Sequence, residues 1–83
     1  MIRLETTTRA IPPTVLQLAR EFFSGEYGLT EASADERSVV FEGGGGSVAI
    51  SARGAATGTI VEITSREWDL QARQFVERLR KAT

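Results

Sequence analysis

Acid–base chemistry in this 83-residue chain would fall to carboxylates, because it holds 11 Asp and Glu residues but neither histidine nor cysteine. Beyond the carboxylates, only Lys81, Tyr27 or an arginine in an unusual setting could act as a proton donor or acceptor. The carboxylates that strand alternation places side by side are Glu5 and Glu62, with Arg3 and Arg53 near them. A carboxylate pair does acid–base work when its surroundings push the two pKa values apart. An exposed pair lacks the burial that does so, and the commoner arrangement is a cross-strand charge ladder. A Ser–His–Asp or Cys–His constellation, a disulfide and the usual Cys/His zinc site are all excluded within one chain. No catalytic, cofactor-binding or metal-ligating residue is therefore assigned.

Three further clusters have residue types suited to binding. Gly43-Gly44-Gly45-Gly46-Ser47 has the glycine content of a phosphate-cradling loop. It lies between two strand-like runs, and no Lys-Ser or Lys-Thr follows it, so it reads as a hairpin turn. In Ser65-Arg66-Glu67-Trp68-Asp69, the residues Arg66, Glu67 and Asp69 could line a groove at a helix start. The simpler reading is a capped helix anchored to the sheet by Trp68. Arg73, Arg78, Arg80 and Lys81 crowd the C-terminal end, where cations suit a helix macrodipole. Glu77 interrupts them and no aromatic platform accompanies them, so nucleic-acid binding is disfavoured.

The elements that must position these residues follow from periodicity. Met1–Thr6 alternates, with Ile2 and Leu4 on one side and Arg3 and Glu5 on the other, as in a half-buried strand. Pro12-Pro13 opens a helix whose apolar positions are Val15, Leu18, Ala19, Phe22 and Phe23, and Gly25 and Gly28 end it. Leu29–Ser33 reads as a short strand, Ser38–Glu42 as a strand with Val39 and Phe41 inward, and Ser47–Arg53 as one with Val48, Ile50 and Ala52 inward. Thr59–Thr64 follows the loop Gly54–Gly58 and turns Val61 and Ile63 inward. The spacing Thr64-x-x-Glu67 predicts a capping box for a last helix that buries Trp68, Ala72, Phe75 and Leu79, with Val76 at the border.

The expected fold class is α+β in the order β-α-β-β-β-β-α, or β-α-β-β-β-α if the Leu29 segment is not a strand. Residues 1–83 would form a single domain. Three hairpin links make an antiparallel meander, the first strand pairs with the last, and both helices cover one sheet face. This element order resembles the TATA-binding-protein-like fold and a shortened helix-grip fold of the START and Bet v1-like proteins. The first resemblance would imply DNA binding through wedge phenylalanines on the open face. That face instead carries Arg3, Glu5, Val40, Glu42, Ala49, Ser51, Arg53, Ile60 and Glu62, without an aromatic residue. The second would imply a small hydrophobic ligand in a groove among Phe22, Phe23, Tyr27, Trp68 and Phe75.

Composition narrows the function classes. Hydrophobic residues make up 41% and charged residues 25%, as in a globular chain. No apolar run approaches the ~20 residues of a membrane span, and Arg3 and Glu5 interrupt any signal-like start, so a cytoplasmic protein without a membrane partner is expected. A chain of this size buries about 60–65% of its unfolded surface, which leaves little volume for an enclosed pocket of roughly 300 Å³. The first functional expectation is a non-enzymatic interaction domain. It would form a homodimer or meet another protein through Val40, Ala49, Ser51, Ile60 and Glu62 or through the Leu29 edge strand. The hydrophobic-ligand groove and weak nucleic-acid binding by the basic helix end are the alternatives.

Overall fold

Each expected strand forms, with the side chains in the expected phase. In the computed structural model, which describes residues 1–81, the elements are β1 (Ile2–Thr8), α1 (Pro12–Ala19), a π-helical extension of α1 (Arg20–Glu26), β2 (Thr30–Ala34), β3 (Ser38–Gly43), β4 (Gly46–Ala55), β5 (Gly58–Arg66) and α2 (Asp69–Lys81). The five strands make one sheet in the order β1-β5-β4-β3-β2, with every neighbouring pair antiparallel. The fold class is thus α+β in the order β-α-β-β-β-β-α, and the Leu29 segment contributes a strand.

Val39, Phe41, Val48, Ile50, Ala52, Val61 and Ile63 turn to one sheet face and are at most 1% exposed. Val15, Leu16 and Ala19 of α1, Phe22 and Phe23 beyond it, and Ala72, Phe75 and Leu79 of α2 close the core over that face. α1 packs on β4 and α2 on β1 and β5. Burial of side chains this size contributes about 1.5–3 kcal/mol each, so the helix-covered face holds most of the driving force for folding.

Helix one departs from expectation in its winding. Leu16 is buried and Leu18 only half-buried, and the second half is a π-helix. Underwinding reduces the angle between successive side chains. Neighbouring Phe22 and Phe23 both enter the core, as their place on the apolar stripe predicts, with their rings edge-on at 4.9 Å. Gly28 ends the segment at φ 72, a conformation glycine adopts without strain.

The expected capping box does not form. Thr64 lies inside β5, paired with Ala49 on one side and Arg3 on the other. Glu67 adopts φ 70 in the turn that follows, and α2 starts at Asp69. Two ladders of backbone hydrogen bonds outweigh one local cap, so β5 runs two residues past its expected end.

Both hairpins are tighter than expected. Gly43 pairs with Gly46, leaving a two-residue turn in which Gly44 has φ 59 and Gly45 φ 80. Positive φ at both central positions is the type I′ turn that matches strand twist. The Trp68 Nε1–H donates to the Gly43 carbonyl at 2.9 Å, which ties this hairpin to the start of α2.

Candidate interaction edge and open sheet face

Register sets the open face out in rows. Thr7, Ile60 and Arg53 form one row, Glu5, Glu62, Ser51 and Ser38 the next, and Arg3, Thr64, Ala49, Val40 and Ser33 a third. Val40, Ala49, Ile60 and Glu62 are half-buried and Ser51 is exposed. Val40 and Ala49 are direct neighbours, but the Glu62 row separates them from Ile60, so the apolar positions do not make one continuous patch. Ser38, Val40, Ala49, Ser51, Glu62 and Thr64 instead line a shallow depression of about 220 Å³.

Glu62 is the electrostatic centre of this face. It accepts a hydrogen bond from Arg3 at 2.8 Å and lies 3.6 Å from Arg53. The bond donated by Arg3 holds its carboxyl below the usual carboxylate range, aided by the charges of Arg3 and Arg53, while partial desolvation opposes the shift. Glu5 stands directly opposite Glu62. Like charges in that position repel. Both cations near the pair engage Glu62, and Glu5 has no ion-pair partner among the described residues. The arrangement is a charge ladder, and among the described residues no group of three carboxylates converges on a metal-sized site.

The two sheet edges differ. β2 is five residues long, exposed at each position, and bulged between Glu31 and Ser33. Short, bulged edges resist pairing with another chain. β1 pairs with β5 over Ile2–Thr8 without a register shift. The direction of its backbone groups follows from the ladder. The Ala52 N–H donates to the Arg37 carbonyl, so β4 residues in phase with Ala52 bond toward β3, and Ala49, Ser51 and Arg53 bond toward β5. Across β5, Ile60, Glu62 and Thr64 then face β4, while Thr59, Val61, Ile63 and Ser65 face β1. Their partners Thr8, Thr6, Leu4 and Ile2 are engaged with β5. Arg3, Glu5 and Thr7 are left to direct their N–H and C=O groups outward. Beside this edge, Leu4, Glu5, Arg73, Val76 and Glu77 line a depression of about 280 Å³ between β1 and α2. Ile2, Leu4 and Val76 are only partly buried there.

The other sequence-derived candidates take structural places. Phe22, Phe23 and Phe75 are at most 2% exposed and pack on one another at 4.9–5.7 Å, so their own rings fill the space between helices and sheet. Tyr27 and Trp68 close that cluster at the surface, with the Tyr27 hydroxyl donating to Gln74 Oε1 at 2.9 Å. At the basic helix end, Arg78 pairs with Glu26 and lies over the Phe22 ring, and Arg80 pairs with Glu77. Asp69 lies 3.4 Å from the N-terminal ammonium, and Glu67 takes positive φ in the turn between β5 and α2.

The crystal structure of protein SSP2350 from Staphylococcus saprophyticus, a structural-genomics target, is similar to this fold with a TM-score of 0.60. The match covers 92% of this chain and 78% of that one at 16% identity, a level at which the likeness speaks to the fold alone. No protein-family model and no curated relative matches the chain. No helix among the described residues is long and apolar enough to cross a membrane.

The sequence points to the Leu29 strand as the contact edge and not to β1, although the expected strand order leaves both at the ends of the sheet; the bulge that distinguishes β2 appears only in the register.

Proposed function

We propose that this is a non-enzymatic interaction domain that docks an extended partner segment against β1, adding a strand to its sheet. The contrast between the two edges carries this reading: β1 is seven residues long and unbulged, whereas β2 is short, bulged and exposed throughout. Outward N–H and C=O groups on Arg3, Glu5 and Thr7 would supply main-chain hydrogen bonds. Partly buried Leu4 and Val76 offer apolar surface to alternate side chains of the incoming strand. On the opposite face, Arg3 and Glu5 offer one charge of each sign. The rows of Val40, Ala49, Ser51, Ile60 and Glu62 continue inward from this edge as the surrounding sheet surface.

The test is a calorimetric titration with a panel of short strand-forming peptides. At least one peptide is expected to bind saturably. Thr7→Pro, which removes an outward N–H, should abolish that binding. Ala34→Pro on the opposite edge should preserve it. Binding that survives Thr7→Pro in a folded protein, or a panel with no binder, would overturn the reading.

A further inference from the structure

The geometry points to a second copy of this chain as the segment docked on β1, in the antiparallel register that sets Leu4 opposite Leu4 of the second copy. This inference rests on the strand-addition reading and names its partner.

The backbone limits the choice of register. Only Arg3, Glu5 and Thr7 present outward groups, so hydrogen-bonded pairs across a two-fold axis must join odd-numbered residues to odd-numbered residues. A slip of one residue would set bonding groups against non-bonding ones and exchange the two faces. Five centred registers remain, on residues 3 to 7, and those on Arg3, Leu4 and Glu5 set charged residues of β1 directly against each other. Centring on Arg3 sets arginine against arginine, and centring on Glu5 sets glutamate against glutamate. Centring on Leu4 sets Arg3 against Glu5 of the second copy, and Glu5 against its Arg3. Opposite charges in directly facing positions attract and like charges repel, so the sequence favours the Leu4 register over its two neighbours.

The surroundings favour the same choice. Glu5 faces Glu62 across β5 and has no ion-pair partner among the described residues, whereas Arg3 of a second copy would stand on its free side. On the helix-covered face, the two Leu4 side chains would meet as a non-hydrogen-bonded pair, the closer type. They would cover the partly buried surface of Leu4 and Val76 beside the β1–α2 depression. The five-stranded sheet would continue unbroken into its copy.

Single-cysteine scanning reads the register directly, because the chain has no cysteine of its own. Facing non-hydrogen-bonded residues stand about 4.5 Å apart at Cα, inside the roughly 4.4–6.8 Å that a disulfide spans. Oxidised Leu4→Cys is expected to give a covalent dimer, and Arg3→Cys and Glu5→Cys are expected to give none. Sedimentation equilibrium of the unmodified chain should show a concentration-dependent dimer. Glu5→Lys, at an exposed position, provides a second readout. It sets lysine against Arg3 of the other copy in both pairs, and should raise the dimer dissociation constant about tenfold. It also removes the Glu5–Glu62 contact, so the isolated fold should lose no stability.

Cross-linking through Arg3→Cys or Glu5→Cys in place of Leu4→Cys overturns the register, as does an unchanged or tighter Glu5→Lys dimer. A single-chain mass at every concentration overturns the second copy as partner. Strand addition as such stands or falls separately, on the peptide titration.

Discussion

Replacing Trp68 by alanine should loosen the join between the β3–β4 hairpin and α2. The indole is partly buried, packs edge-on to Tyr27 at 6.1 Å, and donates to the Gly43 carbonyl at 2.9 Å. Full truncation of a buried tryptophan costs about 3–5 kcal/mol. Partial exposure of this ring lowers the packing share, and a hydrogen bond adds only about 1 kcal/mol. The expected loss is about 2–3 kcal/mol from these two contributions. For a domain of this size that is a fall in Tm of roughly 10–20 °C. Urea unfolding with an unchanged slope would measure it. Gly44 supplies an internal check, because a Cβ there would stand 3.0 Å from the Trp68 ring at φ 59. Gly44→Ala should therefore cost more in the wild type than in the Trp68→Ala background. The difference between those two costs is the steric contact with the ring, and the remainder, about 1–2 kcal/mol, is backbone strain. A Trp68→Ala loss under about 0.5 kcal/mol, well below the cost of truncating a buried ring, would refute the anchoring role. So would equal Gly44→Ala costs in both backgrounds.

Other outcomes follow from individual contacts. The Glu62 carboxyl has its folded pKa lowered, first by the bond from Arg3, so it stabilises the fold above the ordinary carboxylate range. That stabilisation fades as the pH falls through the lowered value, and urea midpoints of the wild type and Glu62→Gln should converge on acidification; parallel pH profiles would contradict this. Thr59, 2% exposed, donates through Oγ1 to the Ala10 carbonyl at 2.6 Å, which pins the β1–α1 connection to β5. Thr59→Val should cost about 1–2 kcal/mol through the unsatisfied carbonyl, and a neutral urea midpoint would show that water replaces the bond.

Strand phase was legible because each inward stripe is apolar at period two, from Ile2 and Leu4 through Val61 and Ile63. The pairing of first and last strands was also legible, since the hairpin meander leaves β1 only its two ends, β2 and β5, and β1 takes the second. Positions decided by competition between local and distant bonds were harder to read. Thr64 and Glu67 have the spacing of a helix cap, yet Thr64 lies between two paired strands with its backbone bonded to β4, and the cap is lost. Leu16 and Leu18 flank the apolar stripe on opposite sides, and contact with the sheet, which periodicity does not encode, decides that Leu16 is the buried one. The candidate surface was legible by composition and missed by place. Val40, Ala49 and Ile60 do lie on the open face, but the Glu62 row separates Ile60 from the other two. That β1 is an edge followed from the expected strand order, but the bulge and short length that set the β2 edge apart from it are visible only in the register.

Amide hydrogen exchange, resolved by residue and compared between micromolar and millimolar protein, tests the β1 edge most directly. Protection should rise with concentration at Arg3, Glu5 and Thr7, while Ile2, Leu4 and Thr6, already bonded to β5, stay as they are. Protection that rises along β2 or across the open face while β1 is unchanged would contradict a contact built on the β1 edge.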